Sequence, residues 1–118
     1  MIRPPVDLPE VYLCIEPVDF RKQIDGLAAL VQEELALSPF SERLFVFTNR
    51  RRNRIKILYW ERSGFVLWMK RLERERFHWP QAVTPTVTLT GQELNWLLDG
   101  LDLSKWRPHQ RLDYQWVA

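Results

Sequence analysis

Asn49-Arg50-Arg51-Arg52-Asn53-Arg54 separates two apolar runs, Leu44-Phe45-Val46-Phe47 before it and Ile55-Lys56-Ile57-Leu58-Tyr59-Trp60 after it. Four guanidinium groups in five positions repel one another, and a packed core does not absorb them. The segment therefore has to reverse the chain in solvent, with strands entering and leaving it. That places a cationic tip on a rigid β element, within reach of a polyanion. The plainer reading is a solvated hairpin tip that keeps a sheet edge from aggregating.

The net charge of +2 hides how the charge is distributed. Residues 42–76 hold eleven Arg or Lys against four Glu, a balance of +7, and the rest of the chain holds six cations against eleven carboxylates, a balance of −5. Such a dipolar arrangement points to an anionic partner for the middle. Of the seventeen cations thirteen are Arg, whose planar fork matches phosphate and stacks on bases. A GC-rich genome raises Arg over Lys as well. At 118 residues and 46% hydrophobic composition, one domain with a real core is expected.

Cys14 is the single cysteine, so no intrachain disulfide forms and a reducing, cytoplasmic setting is expected. Neither His78 nor His109 has a second ligand at metal-like spacing, so no metal or other cofactor is expected. The start, Met1-Ile2-Arg3-Pro4-Pro5, lacks the apolar stretch of a secretion signal, so none is expected, and no apolar run approaches membrane length.

Pro4, Pro5 and Pro9 make residues 1–10 an extended arm. Residues 11–15 read as a strand, with Asp19 as N-cap of a helix carrying Phe20, Ile24, Leu27, Val31 and Leu35 at helical spacing. Gly26 within that stretch costs about 1 kcal/mol relative to Ala; the alternative is that Gly26 marks the true start, with Asp25 as cap and the preceding segment a separate turn. Residues 44–47 and 54–60 are strands, with Ile55, Ile57 and Tyr59 on one face and Arg54, Lys56, Leu58 and Trp60 on the other. Glu61-Arg62-Ser63-Gly64 reads as a hairpin loop with Gly64 in the left-handed region. Residues 65–69 are apolar on both faces, which suits a central strand. Pro85 confines residues 84–88 to an edge or a strand start. Thr90-Gly91-Gln92-Glu93 has the form of a capping box ahead of Leu94, Leu97, Leu98 and Leu101. The expected architecture is α+β: an antiparallel meander of about five strands with two helices, one domain over residues 11–103, and a polar, aromatic tail over 104–118.

Five blocks in this order resemble one family: Asp19-Phe20-Arg21-Lys22-Gln23-Ile24-Asp25-Gly26-Leu27, Leu44-Phe45-Val46-Phe47, Arg54-Ile55-Lys56-Ile57-Leu58-Tyr59-Trp60, Lys70-Arg71-Leu72-Glu73 and Phe77-His78-Trp79-Pro80. Together they resemble the small second-frame protein of the insertion sequence 66 family, often called TnpB or Orf2, over roughly residues 10–103. It is not the much longer RNA-guided nuclease that shares the TnpB name. The resemblance implies a non-enzymatic accessory of transposition that works beside a larger transposase at the DNA ends of the element. Three positions depart from the family pattern: Arg52 and Glu75 stand where relatives often have Gly, and Glu61 where Asp is common.

The candidate DNA or anion contacts are Arg50, Arg51, Arg52, Arg54 and Lys56, joined by Lys70 and Arg71. Arg21 and Lys22 add cations near an expected helix N-terminus, where free amides already favour anions. Arg21 also has Asp19 and Asp25 within pairing range. Trp79, Trp106 and Trp116 are candidate interface anchors for a protein partner or a second copy of the chain. A carboxylate set of Asp19, Asp25 and Glu61 is the only arrangement suggesting a metal-dependent nuclease, and cap and loop roles explain those residues more simply. The rival to DNA contact is an adapter whose basic face docks on the transposase.

Overall fold

The structure is a computed structural model that describes residues 10–103. The arm expected over residues 1–10, apart from Glu10, and the tail with Trp106 and Trp116 lie outside the described residues. The elements run β1 (Val11–Cys14), α1 (Ile24–Glu33), β2 (Leu44–Thr48), β3 (Arg54–Glu61), β4 (Gly64–Arg71), β5 (Thr86–Leu89) and α2 (Gly91–Leu98).

The five strands form one sheet in the order β4-β3-β2-β1-β5. The β2–β3, β3–β4 and β1–β5 pairs are antiparallel, but β1 and β2 run parallel, with Val11 opposite Leu44 and Leu13 opposite Val46. The expected meander is corrected here. A parallel pair needs a crossover, and α1 supplies it between β1 and β2. The fold remains α+β with two helices, on a mixed sheet.

Strand alternation divides the core into two layers. On one face Leu27, Leu30 and Val31 of α1 pack on Cys14, Phe45, Phe47 and Leu58. On the other, Leu94, Leu97 and Leu98 of α2 pack on Val11, Leu13, Leu44, Val46, Ile55, Ile57, Val87 and Leu89. Every residue of β2 is buried, so this strand is the centre of the sheet. By contrast β4, whose sequence suits a central strand, lies at the edge with none of its residues buried.

Local corrections have clear causes. Asp19 does not cap α1: its carboxylate accepts from the Arg21 amide at 2.9 Å, and the Lys22 amide donates to the Asp19 carbonyl, closing a separate turn before a helix whose N-cap is Gln23. Gly26 lets that turn lie against α1, because a Cβ there would stand 3.2 Å from the Cβ and Cγ of Lys22. In the β3–β4 hairpin the left-handed residue is Arg62, at φ 54°, and not Gly64. The capping box is as expected: Thr90 accepts from the Glu93 amide at 3.1 Å, and Glu93 accepts from the Thr90 amide at 2.9 Å. Trp79 is 5% exposed, and its indole donates to the Cys14 carbonyl at 3.0 Å. It is a core side chain locking the 77–80 segment to β1, which corrects the expectation of a surface anchor.

Candidate nucleic-acid interface

The basic turn is built by Asn49. Its side-chain oxygen accepts from the amides of Asn53 and Arg54, each at 3.1 Å, and its nitrogen donates to the Asn53 side chain at 2.7 Å. The Arg52 amide donates to the Asn49 carbonyl, and the Thr48 hydroxyl donates to the Arg54 carbonyl at 2.9 Å. Outside contacts pin the turn further. The Val18 amide donates to the Thr48 carbonyl, Leu72 to the carbonyl of Asn53, and Phe77 to that of Arg52, at 2.7–2.9 Å. The result is a fixed platform rather than a loose tip.

On this platform Arg50 and Arg51 are exposed, and neither has an ion-pair partner among the described residues. They border an open cleft of about 590 Å³ with Glu16, Pro17, Val18, Asp19, Phe20 and Asn49. Arg52 is half-buried in the left-handed region at φ 59°. A side chain is strained there, and glycine would not be. Arg52 faces a second cleft of about 430 Å³, shared with Arg76, His78, Gln81 and Asp102 above Phe77 and Trp79. Arg54 lies directly opposite Arg71 in the sheet, and its Nε is enclosed without a hydrogen-bond partner. Two like charges in register destabilise the pair.

The structure distributes the remaining expected cations differently. Lys56 is only 4% exposed, and its ammonium donates to the carbonyls of Phe20 and Lys22 at 2.9 and 2.7 Å, 4.8 Å from the Phe20 ring centroid. Burial, and then the charge of Arg54, lower its pKa. Lys56 thus anchors the 19–22 turn, and its ammonium is already engaged by the protein. The Lys70 ammonium donates to the Leu98 carbonyl at 2.9 Å, countering the negative end of α2. Arg71 pairs with Glu73 at 2.8 Å and Arg21 with Asp19 at 2.6 Å, both in solvent. The Arg21 guanidinium, followed by the Arg21 amide, lowers the Asp19 pKa to about 2. Lys22 is exposed beside them.

Two cations that sequence reasoning left out of the site belong beside the turn. Arg74 and Arg76 are exposed without ion-pair partners among the described residues, on the segment that the Leu72 and Phe77 amides tie to Asn53 and Arg52. Their alternation with Glu73 and Glu75 disguised them as a solvated charge run. The carboxylates do not converge: Asp19 borders the basic turn, whereas Glu61 ends β3 seven residues beyond Arg54. Seven strand steps span roughly 23 Å. Among the described residues no group of three or more His, Cys, Asp or Glu is placed to hold a metal ion. At the Glu61 end Phe40, Trp60 and Phe65 form an aromatic cluster with centroids 5.0–5.4 Å apart, and Phe40 is 56% exposed.

Fold and site together define a small α+β domain that holds an arginine turn rigidly at one end of its sheet. The chain belongs to the IS66 Orf2-like family, whose profile matches residues 9–108, and is thereby a transposition-associated protein. Two proteins of Sinorhizobium fredii (strain NBRC 101917 / NGR234), both titled uncharacterized, are similar to it. One, y4jC, is 34% identical over 95 residues, covering 80% of this chain and 81% of the relative. The other, y4hO, is 35% identical over 102 residues, covering 83% and 89% respectively. No solved structure matches the chain. Among the described residues no helix is long and apolar enough to cross a membrane.

Proposed function

We propose that this protein is a non-enzymatic accessory of transposition that grips the DNA backbone with its basic end and assists the element's separate transposase. The observation that carries this reading is the pair Arg50 and Arg51, exposed and unpaired on a turn held by three Asn49 side-chain bonds. Arg52, Arg54, Arg74 and Arg76 extend the surface, and Arg21, Lys22 and Arg71 stand at its margin with carboxylate neighbours. A phosphate beside Arg54 and Arg71 would offset the repulsion between them. Contacts of this kind supply affinity and salt dependence without reading sequence.

The test is a fluorescence titration of the full chain with element-end duplex DNA over a salt series. Four neutralised phosphates, one each for Arg50, Arg51, Arg74 and Arg76, give a log–log slope of roughly −3.6, and Arg50→Ala with Arg51→Ala brings it to roughly −1.8. Absence of binding at low salt, or a slope untouched by that double variant, overturns the reading. The exposed Phe40 beside Trp60 and Phe65 favours a second activity, docking on the transposase through the opposite end of the sheet. Co-purification without DNA, lost in Phe40→Ala, is its expected signature.

A further inference from the structure

Strand β4 presents a contradiction between its sequence and its place. Phe65, Val66, Leu67, Trp68 and Met69 are apolar on both faces, yet the strand sits at the edge with no residue buried and Met69 50% exposed. Its eight residues pair continuously with β3, from Arg54 opposite Arg71 to Glu61 opposite Gly64, so no bulge turns the edge away. No proline interrupts it, and its charges, Lys70 and Arg71, are confined to one end. Exposed edges of this kind template the addition of another strand. The other edge is guarded: β5 has four residues, follows Pro85, and faces outward with a strand half as long.

We infer that β4 is the interface through which two copies of this chain associate, by antiparallel β4–β4 pairing into one ten-stranded sheet. The partner is a second copy because the strand is complementary to itself. Antiparallel partners share a sheet face, so a two-fold axis through Leu67 sets Leu67 against itself, Phe65 against Met69 and Val66 against Trp68. All five apolar residues then meet apolar residues, and the Met69 thioether lies against the partner copy's Phe65 ring, a favourable sulfur–aromatic contact. An axis through Trp68 instead sets Phe65 against Arg71 and Val66 against Lys70. An axis through Val66 leaves Met69 opposite Ser63. Only the Leu67 register joins the row Phe65-Leu67-Met69 across both copies.

Sedimentation of the full chain without DNA tests this, so its outcome is separate from that of the DNA titration. A dimer at micromolar concentration is expected, with dissociation tightened by at least tenfold relative to Met69→Lys. That residue is half-exposed, so the variant should keep the thermal transition of the parent. Disulfide trapping checks the register in a Cys14→Ala background. Leu67→Cys places two sulfurs across the axis at a Cα separation of about 4.5–5.5 Å, within disulfide range, and copper–phenanthroline should yield a covalent dimer. Val66→Cys should stay monomeric on the same gel. A monomer at all concentrations, a dimer indifferent to Met69→Lys, or trapping at Val66 but not Leu67 overturns the proposal.

Discussion

Lys56 and Arg50 have similar charge and different work, and burial separates them. The Lys56 ammonium is satisfied by two main-chain carbonyls, so Lys56→Ala orphans both and removes the tie between β3 and the 19–22 turn. Charge-assisted bonds of this kind put the expected loss at about 2–4 kcal/mol by urea unfolding. Arg50→Ala and Arg51→Ala should each move stability by less than about 0.5 kcal/mol, because both side chains stand in solvent. Cys14 supplies a pH effect. Burial pushes its thiol from 9.0 up to about 11, so the unfolded chain releases a proton at pH values where the folded chain keeps it. Its contribution is complete below pH 9 and falls away as pH rises toward 11, by about 2–3 kcal/mol at most. Lys56, with a lowered pKa, acts with the opposite sign below 10.5, gaining as pH rises. Comparing alkaline unfolding of Cys14→Ala with the parent isolates the thiol, and the variant should lose stability less steeply over that window.

The β2–β3 turn shows how an element can be strained and rigid together. Arg52 carries a left-handed backbone at φ 59°, a conformation costing a non-glycine residue about 1 kcal/mol or more. Arg52→Gly should therefore raise the urea midpoint, by about 1 kcal/mol of stability, while removing one charge from the basic end. Asn49→Ala should lose about 2 kcal/mol, since the amides of Asn53 and Arg54 lose their acceptor. It should also weaken DNA binding although no cation is removed, because the platform under Arg50 and Arg51 loosens. At α2, Thr90→Ala should cost about 1 kcal/mol through the broken capping box. The capping box and the turn were legible beforehand because both are local. The start of α1 was legible only as a choice between an Asp19 cap and a separate turn, since the turn that forms depends on Lys56, more than thirty residues away, and on the Asp19 carboxylate turning back to the Arg21 amide.

Among the described residues the two ends of β3 differ in chemistry. The turn lies at one end of β3 and the Phe40-Trp60-Phe65 cluster at the other. The proposed DNA contact at the first should weaken with ionic strength, while the proposed apolar docking at the second should be insensitive to salt. The sequence determined what periodicity and local chemistry can encode: the strands, the capped second helix, the two-faced alternation of β3, the arginine turn in solvent, and through its ordered blocks the family. Tertiary structure decided the rest, because strand order and burial depend on which distant residues share a face. It made β1 and β2 parallel, moved β4 to the edge, and buried Trp79 against Cys14. It withdrew Lys56 and Lys70 from the surface into carbonyl contacts, and brought Arg74 and Arg76 beside the turn through two backbone bonds that no local pattern announces.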